Sequence, residues 1–201
     1  MAEYYYSKNP HVHHQVRRWT FKLLGNVLHF MSDNGVFSKY TVDYGSRVII
    51  KYTNVDEMPK GAVLDLGCGY GPIGIALAKA HPDRNFVLTD VNNLALKLAR
   101  KNVKLNHLSN VPVGSSNVYD NIDQKFAGIV TNPPIRAGKK IVMAMLTGAQ
   151  HYLVPNGTLT AVVRRKQGEP SAKRAMTKTY GNCQIVKRDK GYYVLKSVYR
   201  G

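Results

Sequence analysis

Apolar and polar residues follow two different rhythms along this chain, and the change falls after Met58-Pro59. Before it, short apolar runs are cut by polar breaks. Residues 21–31 suit an extended strand, Asp33-Asn34-Gly35 is a turn signal, and residues 36–41 suit the second strand of a hairpin. Asp43 then stands where a helix cap would, ahead of Val48, Ile49 and Tyr52 at helical spacing. Beyond residue 59, strands and helices alternate. Residues 62–66 are a continuous apolar run bounded by glycines, suited to a strand buried on both faces. Residues 72–80 predict a helix with Pro72 in its first turn, where a missing N–H costs nothing. A second strand follows at 85–89, then a helix at 92–106 with Leu94, Leu98 and Leu105 inward. Short strands at 111–113 and 126–131, a helix at 139–152 and a strand at 157–163 continue the pattern. A helix at 169–180 and a closing strand pair at 184–187 and 192–199 end it.

This alternation predicts an α/β fold: a Rossmann-like, doubly wound, mostly parallel sheet. An antiparallel C-terminal strand pair and an N-terminal hairpin-plus-helix extension complete it. With 201 residues, 44% of them apolar, and no repeat or linker, one domain is expected. Residues 1–59 would form the extension and 60–201 the core. No run approaches eighteen consecutive apolar residues, and the first fourteen residues lack the charged-then-apolar order of a secretory signal. Neither a membrane span nor export is expected. Cys68 and Cys183 are too few for a zinc site or a disulfide framework. His11, His13 and His14 are joined by no cysteine or acidic cluster, so no metal is expected either. A reducing cytoplasm is the expected compartment, and a monomer is favoured although nothing in the sequence sets the oligomeric state.

Charge adds a partner. Lys and Arg number 29 against 12 Asp and Glu, a net +17, and residues 131–201 hold 14 basic and 2 acidic residues. Such asymmetry suits a polyanion, and RNA over a membrane, because no strongly amphipathic basic helix stands out. Arg136, Lys139 and Lys140 follow an Asn-Pro-Pro segment, and Arg164, Arg165 and Lys166 follow the fifth strand, on the edge where α/β folds bind ligands. These six are the candidate phosphate contacts. A merely solvated basic surface is the bland alternative.

The chemistry begins between the first core strand and its helix. Gly69, Gly71 and Gly74 satisfy G-x-G-x-x-G, which raises a dinucleotide site. Asp65, at the strand's end, argues against it, since a carboxylate there repels a pyrophosphate and attracts an ammonium. Asp90 ends the next strand, where a carboxylate can accept both hydroxyls of a ribose. Ammonium plus ribose without phosphate describes S-adenosylmethionine.

On these residues the sequence resembles a family. The segment Val63-Leu64-Asp65-Leu66-Gly67-Cys68-Gly69-Tyr70-Gly71 resembles motif I of class I methyltransferases, and Asp90 their ribose acid. Asn132-Pro133-Pro134-Ile135 resembles motif IV of amino-group methyltransferases. The likeness is to the small-domain group that includes the ribosomal RNA small-subunit guanine-N2 methyltransferases. Gly35-Val36-Phe37-Ser38, Asp43-Tyr44-Gly45-Ser46 and Lys166-Gln167-Gly168 are similar to other segments of that group. The likeness runs from about residue 4 to 198. It implies a cofactor held by Asp65, Gly67, Cys68, Gly69, Gly71 and Asp90. It also implies that Val91 and Asn92 flank the adenine, with Asn117 and Val118 near its amino group, and that Phe37 and Asp43 lie over the methionine end.

An exocyclic purine amine is a poor nucleophile because its lone pair is shared with the ring. Two acceptors on its two hydrogens favour a pyramidal nitrogen and aim the lone pair at an incoming methyl. The Asn132 oxygen and the Pro133 carbonyl can be those acceptors, and Pro133 and Pro134 hold the backbone rigid. Ile135 departs from the commoner aromatic at that motif position and offers no π-stack. Phe37, Tyr40 or the run Tyr4, Tyr5 and Tyr6 could stack on the base instead. The reading is therefore an N-methyltransferase whose partner is RNA, guanine N2 of small-subunit rRNA, naked or in a ribosomal subunit. Methylation of a protein glutamine amide and a non-catalytic RNA-binding or assembly role remain as alternatives.

Overall fold

The computed structural model describes residues 7–9 and 13–201. Strands β1 (Arg17–Leu23) and β2 (Asn26–Ser32) pair antiparallel with Leu23 opposite Asn26. The two turn residues between them, Leu24 and Gly25, both take positive φ, +47° and +81°. That is the primed-turn geometry whose twist matches the flanking strands. The hairpin therefore turns inside the segment expected as one strand, and residues 36–41 hold turns and no strand. Asp33-Asn34-Gly35 has other work. The Asp33 carboxylate is 1% exposed, accepts from the Gln15 and Asn34 amides at 2.9 and 2.6 Å, and meets His14 Nδ1 at 3.0 Å. It ties the exit of the hairpin to the chain entering it.

Helix α1 (Tyr44–Tyr52) starts at Asp43, which accepts from the Ser46 amide at 3.2 Å. The alternating part comprises β3 (Val63–Leu66), α2 (Pro72–Ala80), β4 (Phe86–Asp90), α3 (Asn93–Leu105), β5 (Val113–Ser115) and β6 (Phe126–Thr131). It continues through α4 (Lys139–Gly148), β7 (Leu153–Arg164), α5 (Glu169–Tyr180), β8 (Gln184–Asp189) and β9 (Tyr192–Val198). Seven strands form one sheet in the order β5-β4-β3-β6-β7-β9-β8. β9 runs antiparallel to both its neighbours, while β3 to β7 are mutually parallel. Side chains alternate across β3. Val63 joins the core under α1, α2, α3 and the hairpin, whereas Leu64 and Leu66 join the core under α4 and α5. This is the expected Rossmann-like class.

Helix α3 departs from the expectation in an informative way. Leu98 is buried, but Leu105 is 39% exposed, and the inward stripe includes Asn102 and Asn106. The outer edge of β2 explains it. Asn102 Oδ1 accepts from the Met31 amide at 2.7 Å while its Nδ2 donates to the Met31 carbonyl at 3.0 Å and the Tyr70 carbonyl at 2.9 Å. Four residues on, Asn106 Oδ1 accepts from the His29 amide at 2.9 Å and Nδ2 donates to the His29 carbonyl at 2.8 Å. Two asparagines on one helix face thus replace the next strand, satisfying backbone groups that burial would otherwise orphan.

Candidate active site

The loop from β3 to α2 uses left-handed backbone at Gly67, Gly69 and Gly71, with φ of +74°, +58° and +95°. Side chains rarely tolerate this. The Gly67 and Cys68 amides donate to the Thr89 carbonyl at 2.8 and 2.9 Å, which folds the loop over the end of β4. Gly74 serves differently: a Cβ there would meet Leu88 Cδ1 at 2.6 Å, so its absence lets α2 lie close on β4.

Above this loop opens a cavity of about 600 Å³. Gly67, Cys68, Gly69, Asp90 and Val91 line one side, with Ser116, Asn117 and Val118 beyond them. Asn132, Pro133, Pro134, Ile135 and Arg136 line the other, with Arg164 and Tyr192 at the rim. Phe37, Tyr40 and Asp43 face the same space from the N-terminal segment. The sheet order produces this division: the residues of the first wall follow β3, β4 and β5, and those of the second follow β6, end β7 or begin β9.

Asp90 is fixed by its own backbone surroundings. Oδ2 accepts from the Gly69 amide at 2.8 Å and Oδ1 from the Asn92 amide at 2.9 Å. The Val91 amide also bears on the carboxylate, and the lone pair left over remains for a ligand hydroxyl. Burial pushes its carboxyl above the ordinary value. Asn117 reaches the cavity, but its Nδ2 donates to Asp120 at 3.0 Å, which leaves the amide oxygen as its outward acceptor.

Asp65, Gly71 and Asn92 stand behind this wall. Asn92 is fully buried as the cap of α3, accepting from the Ala95 amide at 3.1 Å and donating to the Gly35 carbonyl at 3.1 Å. Its side chain therefore orders the segment that presents Val91, and of the two residues expected beside an adenine Val91 lines the cavity and Asn92 does not. Asp65 is 2% exposed. Its Oδ2 accepts from the Gly74 amide at 2.7 Å, and Oδ1 has no partner. Burial pushes its carboxyl up to about 7, with the Asp90 charge adding. An orphaned, buried carboxylate oxygen beneath a glycine loop fits a cationic group arriving above it. Burial likewise pushes the Cys68 thiol up, with Asp90 and Asp65 adding, so it stays protonated and is no nucleophile.

Asn132 ends β6. Its Nδ2 donates to Asp43 Oδ2 at 3.0 Å and to Ser46 Oγ at 3.1 Å. A carboxylate accepts only, so the amide cannot be turned the other way round. Both donors being engaged, the Asn132 oxygen is the group left for a ligand amine. The sequence located Asn132 and Asp43 but did not connect them, and it missed Ser46. It also missed Tyr192. A Cβ on Gly45 would lie 2.9 Å from Tyr192 Cε1, so the ring packs directly on the chain between Asp43 and Ser46. The Arg164 guanidinium sits 4.8 Å from the ring centre.

Of the expected phosphate contacts, Arg136 and Arg164 line the cavity, while Lys139, Lys140, Arg165 and Lys166 are exposed outside its lining. Tyr40, 66% exposed, carries Arg17 at 4.7 Å and Lys39 at 5.2 Å from its ring centre. Tyr4, Tyr5, Tyr6 and His11 lie outside the described residues. Among the described residues no group of three or more His, Cys, Asp or Glu could hold a metal, and no helix is long and apolar enough to cross a membrane.

The chain matches the family Methyltransferase small domain over residues 27–196. It is 42% identical over 199 residues to YbxB of Bacillus subtilis (strain 168), an uncharacterized protein, covering 98% of both chains. It is 39% identical over 132 residues to ribosomal RNA small subunit methyltransferase C of Aeromonas hydrophila, covering 64% of this chain and 37% of that one. Among solved structures it is similar to a T. thermophilus 16S rRNA N2 methyltransferase in complex with AdoMet and guanosine. There the TM-score is 0.83 at 25% identity, covering 92% of this chain and 51% of the other. This chain thus spans about half or less of those two RNA methyltransferases.

Proposed function

Because the chain belongs to the methyltransferase small domain family, whose cofactor is S-adenosylmethionine, we propose that it methylates an exocyclic amine of RNA, guanine N2 of small-subunit rRNA, in the cytoplasm. The observation that carries this reading is the pinned Asn132 amide, whose oxygen is presented to the cavity by Asp43 and Ser46. The cofactor supplies a methyl group already activated by a sulfonium. The work left to the protein is orientation. Asp90 and the Gly67–Gly69 loop would hold the nucleoside half, and Asp65 would draw the ammonium from below. The Asn132 oxygen and the Pro133 carbonyl would each accept one hydrogen of the amine and aim its lone pair at the methyl. As the nitrogen–methyl bond forms, the methyl–sulfur bond breaks to leave a thioether, and the amine's surplus proton passes to water. Tyr192 supplies the ring that Ile135 lacks, on the acceptor side of the cavity. Similarity to enzymes of 16S rRNA supports the RNA target and the guanine amine.

The test is to incubate the protein with tritiated S-adenosylmethionine and small ribosomal subunits, naked rRNA or a release factor, and to map the label. Label on a guanine of the rRNA is expected. Label on the release factor would make it a glutamine methyltransferase, and no label anywhere would favour a non-catalytic role.

A further inference from the structure

Helix α3 is basic along one exposed face. Lys97, Arg100, Lys101 and Lys104 recur at three- and four-residue spacing, all exposed, and no Asp or Glu occurs between Val91 and Tyr119. Among the described residues none of the four is ion-paired. At the C-terminal end of this face lies an open groove of about 550 Å³, lined by His29, Met31, Lys101, Lys104, Leu105 and His107. Its two walls cannot drift apart easily. The bonds from Asn102 and Asn106 to Met31 and His29 fasten α3 to β2 directly beneath it.

We propose that this face and groove bind the phosphate backbone of a second segment of the same RNA, away from the target nucleotide. The proposal rests on the RNA methyltransferase reading above. Lys97 and Lys104 are seven residues apart, about 10 Å along a helix, over which one strand carries about three phosphates. Four cations without counter-ions suit such a row, and the groove beside them offers a largely apolar surface between His29, Leu105 and His107. Asn92 caps the other end of α3, beside Asp90. Lys104 therefore stands about 18 Å from the cofactor side of the cavity. A single strand threaded into the cavity reaches Lys104 only with about five further phosphates on that side of the target, at roughly 3.4 Å each. The structure thus assigns the enzyme an RNA that extends beyond the target, contacted at the cavity and again along α3, as its substrate class.

The test compares wild type with a Lys97→Ala/Lys101→Ala/Lys104→Ala variant. The probes are full-length small-subunit rRNA, naked and in assembled subunits, and an oligonucleotide carrying the mapped target but too short to span about 18 Å. With the full rRNA, the variant's log affinity should fall less steeply with log salt, the slope being shallower by about 2 at roughly 0.7 to 0.9 per lost phosphate contact. Affinity for S-adenosylmethionine and methylation of the oligonucleotide should not change. An unaltered slope, or equal losses on rRNA and oligonucleotide, overturns the proposal. Losses confined to assembled subunits would assign the face to an acidic ribosomal protein and overturn it as well. Binding is read separately from label, so a wild type that binds rRNA with the expected slope but methylates none would count against the enzymatic reading alone.

Discussion

Asp65 is the residue whose chemistry is most at odds with its surroundings, since one carboxylate oxygen has no partner in a site closed to water. Its folded value of about 7 stands above an ordinary value near 3.8. The unfolded chain therefore gives up this proton at lower pH than the folded one. The contribution to stability is whole below pH 4 and is lost as pH climbs to about 7. Asp65→Asn should accordingly gain in Tm relative to wild type as pH rises from 5 to 8, by scanning calorimetry, while binding S-adenosylmethionine more weakly. An unchanged difference between the two proteins across that range would remove Asp65 as the titrating group. At Asn132 the expectation is kinetic. Asn132→Ala should bind cofactor normally yet turn over roughly two orders of magnitude more slowly, the scale for losing one positioned polar group. Full activity in single-turnover assays would exclude the amide from the chemistry. Tyr192→Ala should raise KM for RNA and leave cofactor affinity alone, with Tyr192→Phe restoring it. Stacking of a base on a ring is worth about 1–3 kcal/mol, roughly 5- to 150-fold. Asp65, Asp90 and Asn132 were legible in the sequence because each lies at or beside the C-terminal end of a strand, inside a short local motif. The partners that aim Asn132 were not, because Asp43 and Ser46 are 89 and 86 positions away.

At the scale of elements, legibility followed the same division between local and distant causes. The bounds of α2 and α5 could be read because their stops are local: Pro72 and Pro170 in their first turns and Gly181 just past the end of α5. The hairpin could not. Its turn places Leu24 at positive φ, where Asn or Gly is the usual signal, while the real Asp-Asn-Gly cluster ties down Asp33. The inward face of α3 was misread because Asn102 and Asn106 look like solvent residues until β2 is placed against them. That placement carries weight. Asn102→Leu would leave the Met31 amide and carbonyl and the Tyr70 carbonyl without partners, at about 1–3 kcal/mol for each buried group. A loss of about 3 kcal/mol or more is expected in urea denaturation. A loss under about 1 kcal/mol would mean that this edge finds other partners.

For the whole molecule, the sheet order and the charge distribution act together. The C-terminal ends of β6 and β7 open at the edge where Arg136 and Arg164 line the cavity, and Arg165 and Lys166 continue outward. An Arg164→Ala/Arg165→Ala/Lys166→Ala variant should show a shallower salt dependence of RNA binding, by roughly 0.7 per contact for single-stranded RNA, with cofactor affinity unaltered. Normal binding and methylation by that variant would move the RNA path elsewhere. The asparagine clasp on β2 also has a consequence for how the chain is made. Synthesis proceeds from the N-terminus, so the hairpin emerges well before its partners, which lie 71 and 77 positions further on. Until α3 follows, the outer edge of β2 is an open strand able to pair with another nascent chain. Contacts of such long sequence separation form late and slow folding. The hairpin, made before the helix that clasps it, is thus among the last parts of the molecule to be secured, and the interval belongs to whatever shields it on the translating ribosome.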